Sequence, residues 1–303
     1  MANEGVGCLV VMVVCVEGQK AEFCHYVFLF SNLTACQKRS RRHPLDTVRS
    51  VCGRVVSTST PQQIADFFGA SFEGDPLPVN YNVAPTTDVY AVVNEDDGEP
   101  AVRAFHWGLV PVWAKDMKIG SSMINARAET LTEKPSFKGL LRKRRCIVPI
   151  DGFYEWQAPA PAAPLSVQGK PVKQPLFIHR ADGHLLAVAG LWTVWRDKAG
   201  PADGPWLHSC TIITTAANDT MASVHDRMPA ILPASAWHEW LDPNIDDPDE
   251  LTQLLRPAPN DILAMHRVST AVNSVRNKGV ELIAEVGPDA TSVGAPPEAD
   301  SLF

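Results

Sequence analysis

The sequence predicts an α+β fold, and three of its properties support that class. Candidate strands outnumber candidate helices, and the two do not alternate strictly, which argues against a doubly wound parallel sheet. The 303 residues are 45% hydrophobic and 20% charged, so the chain can bury a sizeable core and is not disordered over most of its length. Its 19 glycines and 25 prolines indicate many loops without low complexity.

The first predicted element is a helix that begins after Thr60. This threonine is a good capping residue, and Pro61 follows it at the first helical position. Ile64, Phe67 and Phe68 then fall on one helix face. Runs rich in β-branched and aromatic residues predict strands at 89–93, 101–107, 145–148, 176–179, 185–191 and 209–214. Further short helices are expected at 128–133, 136–141 and 234–241.

Three segments differ in composition or periodicity from the rest of the predicted domain. Residues 1–51 show no sustained helical or strand period, and we expect them to lie outside the domain as an N-terminal extension. The domain is expected to cover residues 52–286, followed by a disordered acidic tail at 287–303. Residues 158–175, rich in proline and alanine between two predicted strands, are expected to form a long hairpin loop.

Charge and cysteine content exclude several classes of protein. The net charge of −7 argues against attachment to nucleic acid by bulk charge, although the excess is concentrated from residue 242 onward. No apolar run approaches the ~20 residues of a membrane-spanning helix. No CxxC pair occurs, so neither a zinc ribbon nor a thioredoxin-like site is indicated. Scattered cysteines in the main body favour a reducing, cytoplasmic setting.

Four short motifs break the packing pattern, and each has an ordinary structural interpretation when it stands alone. Asn125 and Arg127 lie beside small residues and could be a helix cap and a surface arginine. Glu155 lies between aromatic residues, where burial would raise its pKa, or it is an exposed residue of an edge strand. His225 is next to an acid and an arginine, yet a loop histidine is usually a surface residue. Cys52 is an isolated cysteine, and such cysteines are more often inert than reactive.

Seven segments occur in a specific order between Cys52 and Lys278, about three quarters of the chain. They are VCGRVVSTST, YNVAPTT, WGLVPVWAKD, INARAET, IVPIDGFYEW, VHDRMP and VSTAVNSVRNKG. Together they resemble the SOS response-associated peptidase (SRAP) family, whose members shield abasic sites in single-stranded DNA. The resemblance implies a single domain with a twisted, mainly antiparallel, barrel-like sheet and a few short helices.

The resemblance implies that Cys52 reacts as the mature N-terminal residue. An abasic site opens to an aldehyde, which a free α-amine attacks to give a Schiff base. The thiol of the same residue then closes on that carbon to form a thiazolidine, because both nucleophiles are held together. The implied activity is a covalent crosslink that protects the site, combined with autopeptidase and lyase-like chemistry. An internal cysteine has no free α-amine and could not perform this reaction.

The chief departure from the family pattern is the sequence before Cys52, where Val51 stands in place of an initiator methionine. We expect Val51 to be the true start, from a GTG codon read as methionine, with residues 1–50 as upstream sequence. The alternative is a genuine extension that self-cleavage removes. Either route exposes the amine of Cys52.

The resemblance also implies the roles of individual residues. Asn125 would hold the amine of Cys52, and Glu155 would act as general acid and base. His225 would protonate the sugar oxygen as the ring opens. Contacts to DNA would come from Arg54, Arg127 and Arg227 to phosphates or bases, and from Trp107 and Trp113 by stacking.

The resemblance implies no metal and no cofactor, and the partner is single-stranded DNA that contains abasic sites. We expect a monomer in the cytoplasm, at the nucleoid if the source is bacterial. Other members carry a second tryptophan where this chain has Ala114, which is a further departure from the family pattern. The basic run at 138–145 is either a further patch that faces DNA or a solvated helix face.

Two functions from other classes remain open. The first is a protease that acts on other proteins through Cys52 with His225 and either Asn125 or Glu155, and it would need no free amine. The second is a non-catalytic reader of single-stranded or modified DNA. Replacing Cys52 by serine distinguishes these two functions from each other and from the crosslinking function.

Overall fold

The described residues form thirteen strands and five short α-helices. The structure is a computed structural model that describes residues 51–94, 98–159, 165, 169–201 and 203–287. The strands are β1 (Val55–Ser57), β2 (Ser71–Phe72), β3 (Asn80–Val83), β4 (Asp88–Asn94), β5 (Pro100–Trp107), β6 (Asn125–Arg127), β7 (Arg145–Ile150), β8 (Gly152–Gln157), β9 (Gln174–Arg180), β10 (Leu186–Trp195), β11 (Leu207–Ala216), β12 (Arg227–Pro229) and β13 (Leu263–Arg267). The helices are α1 (Pro61–Phe68), α2 (Pro135–Lys143), α3 (Asp219–Ala222), α4 (Trp237–Leu241) and α5 (Pro248–Gln253). Among these residues no helix is long and apolar enough to cross a lipid bilayer.

Five strands close into a barrel in the order β11, β10, β7, β4 and β5. The pairings along this path are antiparallel, and β5 returns to β11 in parallel, where Trp107 meets Cys210. Beyond that point β6 takes the place of β5 beside β11 and pairs Asn125 with Ile212. The mainly antiparallel, barrel-like sheet that the family resemblance implies is confirmed.

A second, antiparallel sheet follows the order β13, β9, β8, β1 and β3. Strand β1, between β8 and β3, begins three residues after Cys52 and pairs Val55 with Phe153 of β8. Continuing this antiparallel register places residue 155 opposite residue 53. The sheet therefore brings Glu155 next to Cys52 although 103 residues separate them in the chain.

Side-chain alternation along the strands divides the barrel core in two. Residues such as Val148 and Cys210 pack in one cluster with residues of the second sheet, including Val55. Their neighbours, such as Ile147, pack in a second cluster against the helices, including Leu141 of α2. The helices thus cover the outside of the barrel, and the inner cluster, which also contains Cys52, reaches the second sheet.

All six predicted strands are confirmed, and so is the helix after Thr60. The Thr60 hydroxyl accepts from the N–H of Gln63, and the Gln63 side chain accepts from the N–H of Thr60, which completes a capping box. The helix ends at Gly69, whose φ of 63° suits glycine. The helix predicted at 136–141 is confirmed as α2.

The other two helix predictions are wrong in part. Residues 128–133 form only a short 3-10 turn at Ala128–Thr130, because β6 holds the preceding residues against β11. The helix predicted at 234–241 is divided into a 3-10 turn at Ala234–Ala236 and α4. The hairpin predicted at 158–175 joins β8 to β9, which pair Gln157 with Gln174, and part of that loop lies outside the described residues. The predictions for residues 1–50 and for the tail from 288 also lie outside them.

The basic run at 138–145 ends in a structural residue rather than a free cation. Arg145 is 4% exposed and donates hydrogen bonds to the carbonyl oxygens of Leu141, Arg142, Trp240 and Asp242. These bonds join the end of α2 to the end of α4. A DNA-facing role is therefore wrong for Arg145, the last residue of the run.

Gly152 is a point where the second sheet has no room for a side chain. A Cβ atom there would lie 2.6 Å from the carbonyl oxygen of Ile178 and would collide with the ring of Phe177. We expect Gly152→Ala to lower the free energy of unfolding by about 2 kcal/mol or more, because the backbone of β9 must move. Chemical denaturation measures this change.

Gly139→Ala is the matched control for this measurement. Gly139 lies inside α2, and a Cβ atom there meets nothing within 4 Å. Alanine should raise the stability by roughly 0.5–1 kcal/mol through helix propensity. Equal effects at the two glycines would contradict the close approach of β8 to β9.

Candidate functional site

Cys52 is buried at the start of the second sheet in a backbone conformation that is unusual for its type. Its φ is 52°, in the left-handed region that non-glycine residues rarely adopt. The residue is 0% exposed and packs in the inner core cluster with Val51. Burial, and then the carboxylate of Glu155, raise the pKa of the Cys52 thiol well above its ordinary value. The thiol is therefore protonated in the intact chain.

Glu155 contacts the backbone nitrogen of Cys52. Its Oε1 accepts a hydrogen bond from that N–H at 2.5 Å, and the side chain is buried on β8. Burial raises the pKa of Glu155 to about 7, an effect that hydrogen bonds from the N–H groups of Cys52 and Trp156 partly oppose. A carboxyl group with this pKa can both give and take a proton near neutrality, as general acid–base chemistry requires.

Asn125 contacts the other side of the same peptide bond. Its Nδ2 donates a hydrogen bond to the carbonyl oxygen of Val51. The family resemblance implied that Asn125 holds the nitrogen of Cys52. With residue 51 attached, that nitrogen instead donates its hydrogen bond to Glu155. Asn125 thus contacts the oxygen of this peptide bond, and Glu155 contacts its nitrogen.

His225 is oriented by its neighbours in the chain. Its Nδ1 lies 2.8 Å from Oδ1 of Asp226 and 3.1 Å from the backbone nitrogen of Arg227. Met221 and Met228 flank this turn in sequence and pack in the same core cluster as Cys52. The segment is therefore anchored to the core that contains the cysteine.

The three arginines assigned to DNA differ in their surroundings. Arg127 is exposed. Arg54 donates to Oδ1 of Asn82 at 2.7 Å and to the carbonyl oxygen of Val272 at 3.1 Å, and burial lowers its pKa. Arg227 forms a bidentate ion pair with Glu129, with nitrogen–oxygen distances of 3.1 and 2.9 Å. Arg54 and Arg227 therefore already hold parts of the protein together.

The two tryptophans assigned to DNA also differ. Trp113 is 55% exposed, as a stacking residue must be. Trp107 is 0% exposed, and its indole nitrogen donates to the carbonyl oxygen of Ile124 at 3.0 Å. In this position its ring offers no face to a base. Its contact instead holds the residue just before Asn125.

Sequence reasoning missed Asn82, which organises the segment after residue 271. Asn82 is 1% exposed, and its Nδ2 donates to the carbonyl oxygens of Val272, Ser274 and Asn277 at 3.2, 3.0 and 2.9 Å. Its Oδ1 accepts from Arg54. The available signal was a polar residue within the apolar context of YNVAP, which does not identify its distant partners.

The fold and site define a barrel protein in which a carboxyl group and an amide donor contact the two sides of the peptide bond before a buried cysteine. The chain belongs to the SRAP family, because the family model described as SOS response associated peptidase (SRAP) matches residues 51–275. The family resemblance found in the sequence is thereby confirmed.

Relatives and solved structures agree with this assignment. The abasic site processing protein YoqW of Bacillus subtilis (strain 168) is 42% identical over 236 residues, which cover 77% of this chain and 99% of that protein. The abasic site processing protein YedK of Escherichia coli (strain K12) is 31% identical over 78% of this chain and 100% of its own. A crystal structure of a protein from Bacteroides thetaiotaomicron is similar with a TM-score of 0.66 and 25% identity, over 78% of this chain and 100% of that chain.

The raised pKa of Glu155 predicts a pH-dependent stability. A group whose pKa is raised on folding contributes stability below its unfolded pKa, near 4.5, and loses it as the pH rises through about 7. Glu155→Gln lacks this titration. Its free energy of unfolding relative to the unmodified protein should therefore increase by up to about 3 kcal/mol between pH 4.5 and about pH 8.

Denaturant titrations at several pH values measure the difference. Glu133→Gln, which replaces an exposed carboxylate, is the surface control. A difference for Glu155→Gln that varies with pH no more than that of Glu133→Gln would show that the carboxyl group of Glu155 is not desolvated.

Proposed function

We propose that this protein processes abasic sites in single-stranded DNA by forming a covalent thiazolidine crosslink through Cys52, which protects the site during the response to DNA damage. The observation that carries the proposal is the Val51–Cys52 peptide bond, held at its oxygen by Asn125 and at its nitrogen by Glu155. Membership of the SRAP family and the names of its relatives support the same substrate.

The first step frees the amine of Cys52. Water adds to the carbonyl carbon of Val51, and Asn125 stabilises the oxyanion that forms. Glu155 takes a proton from the water as it adds and passes this proton to the nitrogen as the carbon–nitrogen bond breaks. The products are a carboxyl group on residue 51 and an amine on Cys52. The left-handed φ of Cys52 assists, because a strained backbone of this kind costs of order 1–3 kcal/mol and cleavage removes that dihedral.

The second step forms the crosslink. The amine attacks the aldehyde of the opened abasic sugar, and loss of water gives an imine. The thiol adds to the imine carbon, and its proton moves to the nitrogen, so the thiazolidine forms without any oxidant. Glu155 moves the protons of both additions, and His225 protonates the sugar oxygen when the ring opens. Arg127 binds phosphate from its exposed position, and Trp113 stacks on a base.

The proposed first step predicts that Asn125→Ala slows removal of the residues before Cys52. Loss of one oxyanion donor typically lowers a rate by roughly 10²–10³-fold. The measurement is the intact mass of the full 303-residue chain over time after synthesis, with a product that begins at Cys52. Asn244→Ala changes an exposed asparagine that contacts Asp242 and should leave the rate unchanged. Processing of Asn125→Ala at the normal rate would contradict the role of this residue.

The proposed second step predicts that Cys52→Ser binds abasic single-stranded DNA but forms no heat-stable adduct. A hydroxyl group cannot replace the thiol in a stable thiazolidine. Denaturing gels after mixing with DNA that carries one abasic site measure the adduct. Cys146→Ser removes another buried thiol and should crosslink normally.

The same variants separate the other two functions. A peptidase that acts in trans would lose peptide turnover in Cys52→Ser without ever forming a DNA adduct. A non-catalytic reader would lose nothing in Cys52→Ser. Either pattern would overturn the proposal.

A further inference from the structure

A bidentate ion pair crosses strand β11 close to the reactive residues. Arg227 begins β12, and Glu129 lies in the 3-10 turn that follows β6. Thr214 of β11 pairs with Pro229 of β12 and with Arg127 of β6, so these two strands lie on opposite edges of β11. The side chain of Arg227 must therefore pass over β11 to reach Glu129.

Arg227 is bound along its path across β11. Its Nε donates to Oγ1 of Thr214 at 3.2 Å, and one Nη donates to the carbonyl oxygen of the same residue at 2.6 Å. Both Nη atoms then donate to the carboxylate of Glu129. Burial alone would raise the pKa of Glu129, but the hydrogen bonds from Arg227 hold it below its ordinary value. The pair is therefore charged near neutral pH, and its geometry allows one orientation of the guanidinium.

The backbone of Arg227 ends the turn that contains His225. The backbone nitrogen of Arg227 lies 3.1 Å from Nδ1 of His225. Just before it, the carbonyl oxygen of Asp226 accepts from the N–H of Ala217 at 3.1 Å. At the start of the turn, the N–H of His225 donates to the carbonyl oxygen of Met221 at 2.9 Å. The position of Arg227 therefore influences the orientation of the His225 ring.

The ion pair joins two segments that both carry residues of the proposed reaction. Glu129 is four residues after Asn125, and Arg227 is two residues after His225. The first segment is itself fixed to β11, where Asn125 pairs with Ile212. A tie between two such segments sets the position of one reactive group relative to the other, and catalytic rates are sensitive to displacements of about 1 Å.

We propose that Glu129 is a positioning residue, which holds Arg227 across β11 and thereby orients the His225 ring toward the abasic sugar. The inference rests on the proposed function for the role of His225. In this role Glu129 touches neither the DNA nor the reacting atoms. It affects the step in which the sugar ring opens and not the later additions of amine and thiol.

Glu129→Gln tests the proposal, because glutamine keeps the size of the side chain but loses the charge that pairs with Arg227. The matched control is Glu133→Gln, which changes an exposed glutamate four residues further along the chain. Both variants should keep nearly the same melting temperature, since an ion pair with an exposed partner adds little stability. Both should also release Cys52 at the unmodified rate, because that step does not use His225.

The measurement is the crosslinking rate at saturating protein on two single strands that differ only in the reactive group. One strand carries a natural abasic site, whose sugar must open, and the other carries an acyclic aldehyde, which has no ring. We expect Glu129→Gln to react roughly tenfold more slowly on the natural site, because its acid is misplaced, and at the unmodified rate on the acyclic aldehyde. Glu133→Gln should match the unmodified protein on both strands.

An unmodified rate of Glu129→Gln on the natural site would overturn the role of this residue. An equal loss of rate on both strands would also overturn it, because the effect would then not pass through His225. If the unmodified protein crosslinks neither strand, the proposed function fails instead. The NMR resonances of the His225 ring nitrogens then decide the positioning role: a change in Glu129→Gln but not in Glu133→Gln supports it, and unchanged resonances in both variants refute it.

Discussion

The peptide bond between Val51 and Cys52 is the point on which this structure depends. Its oxygen is held by Asn125 from the strand beside the barrel, and its nitrogen by Glu155 from the second sheet. Contacts from both sheets therefore converge on one bond, and the relative position of the sheets determines whether both contacts form. The exchange of β5 for β6 along β11 delivers Asn125 to the site.

Burial of Glu155 destabilises the folded state, and the rest of the fold must offset this loss of stability. A carboxyl group with a pKa of about 7 disfavours the folded state at higher pH, because its charged form loses hydration on burial. The same burial makes the group a usable acid and base at neutral pH. The surrounding strands supply the stability, with Phe153 and Ile178 in the inner core next to the cysteine.

Local pattern predicts much of the fold but little of the geometry of the site. The barrel strands and α1 were predictable because their side-chain alternation and capping residues are contiguous in sequence. Strands β1, β3 and β13 were not, since they are short and are defined by pairing with distant strands. Motifs indicated Cys52, Asn125 and Glu155, but not that Asn125 contacts the oxygen of residue 51. Trp107 illustrates the same limit, because a tryptophan that stacks on DNA and one that fills a core look alike in sequence.

In the proposed reaction a single cleavage changes the reactivity of Cys52. While the bond is intact, the nitrogen is an amide without nucleophilic character, and burial beside Glu155 keeps the thiol protonated. Cleavage creates an amine whose cationic form lies two carbon atoms from the sulfur and favours the thiolate. The carboxyl group of Glu155 then contacts a nucleophile instead of a leaving group. Glu155, which contacts the intact peptide bond, thus becomes the acid–base group of the crosslinking step, so processing and DNA chemistry need only one site.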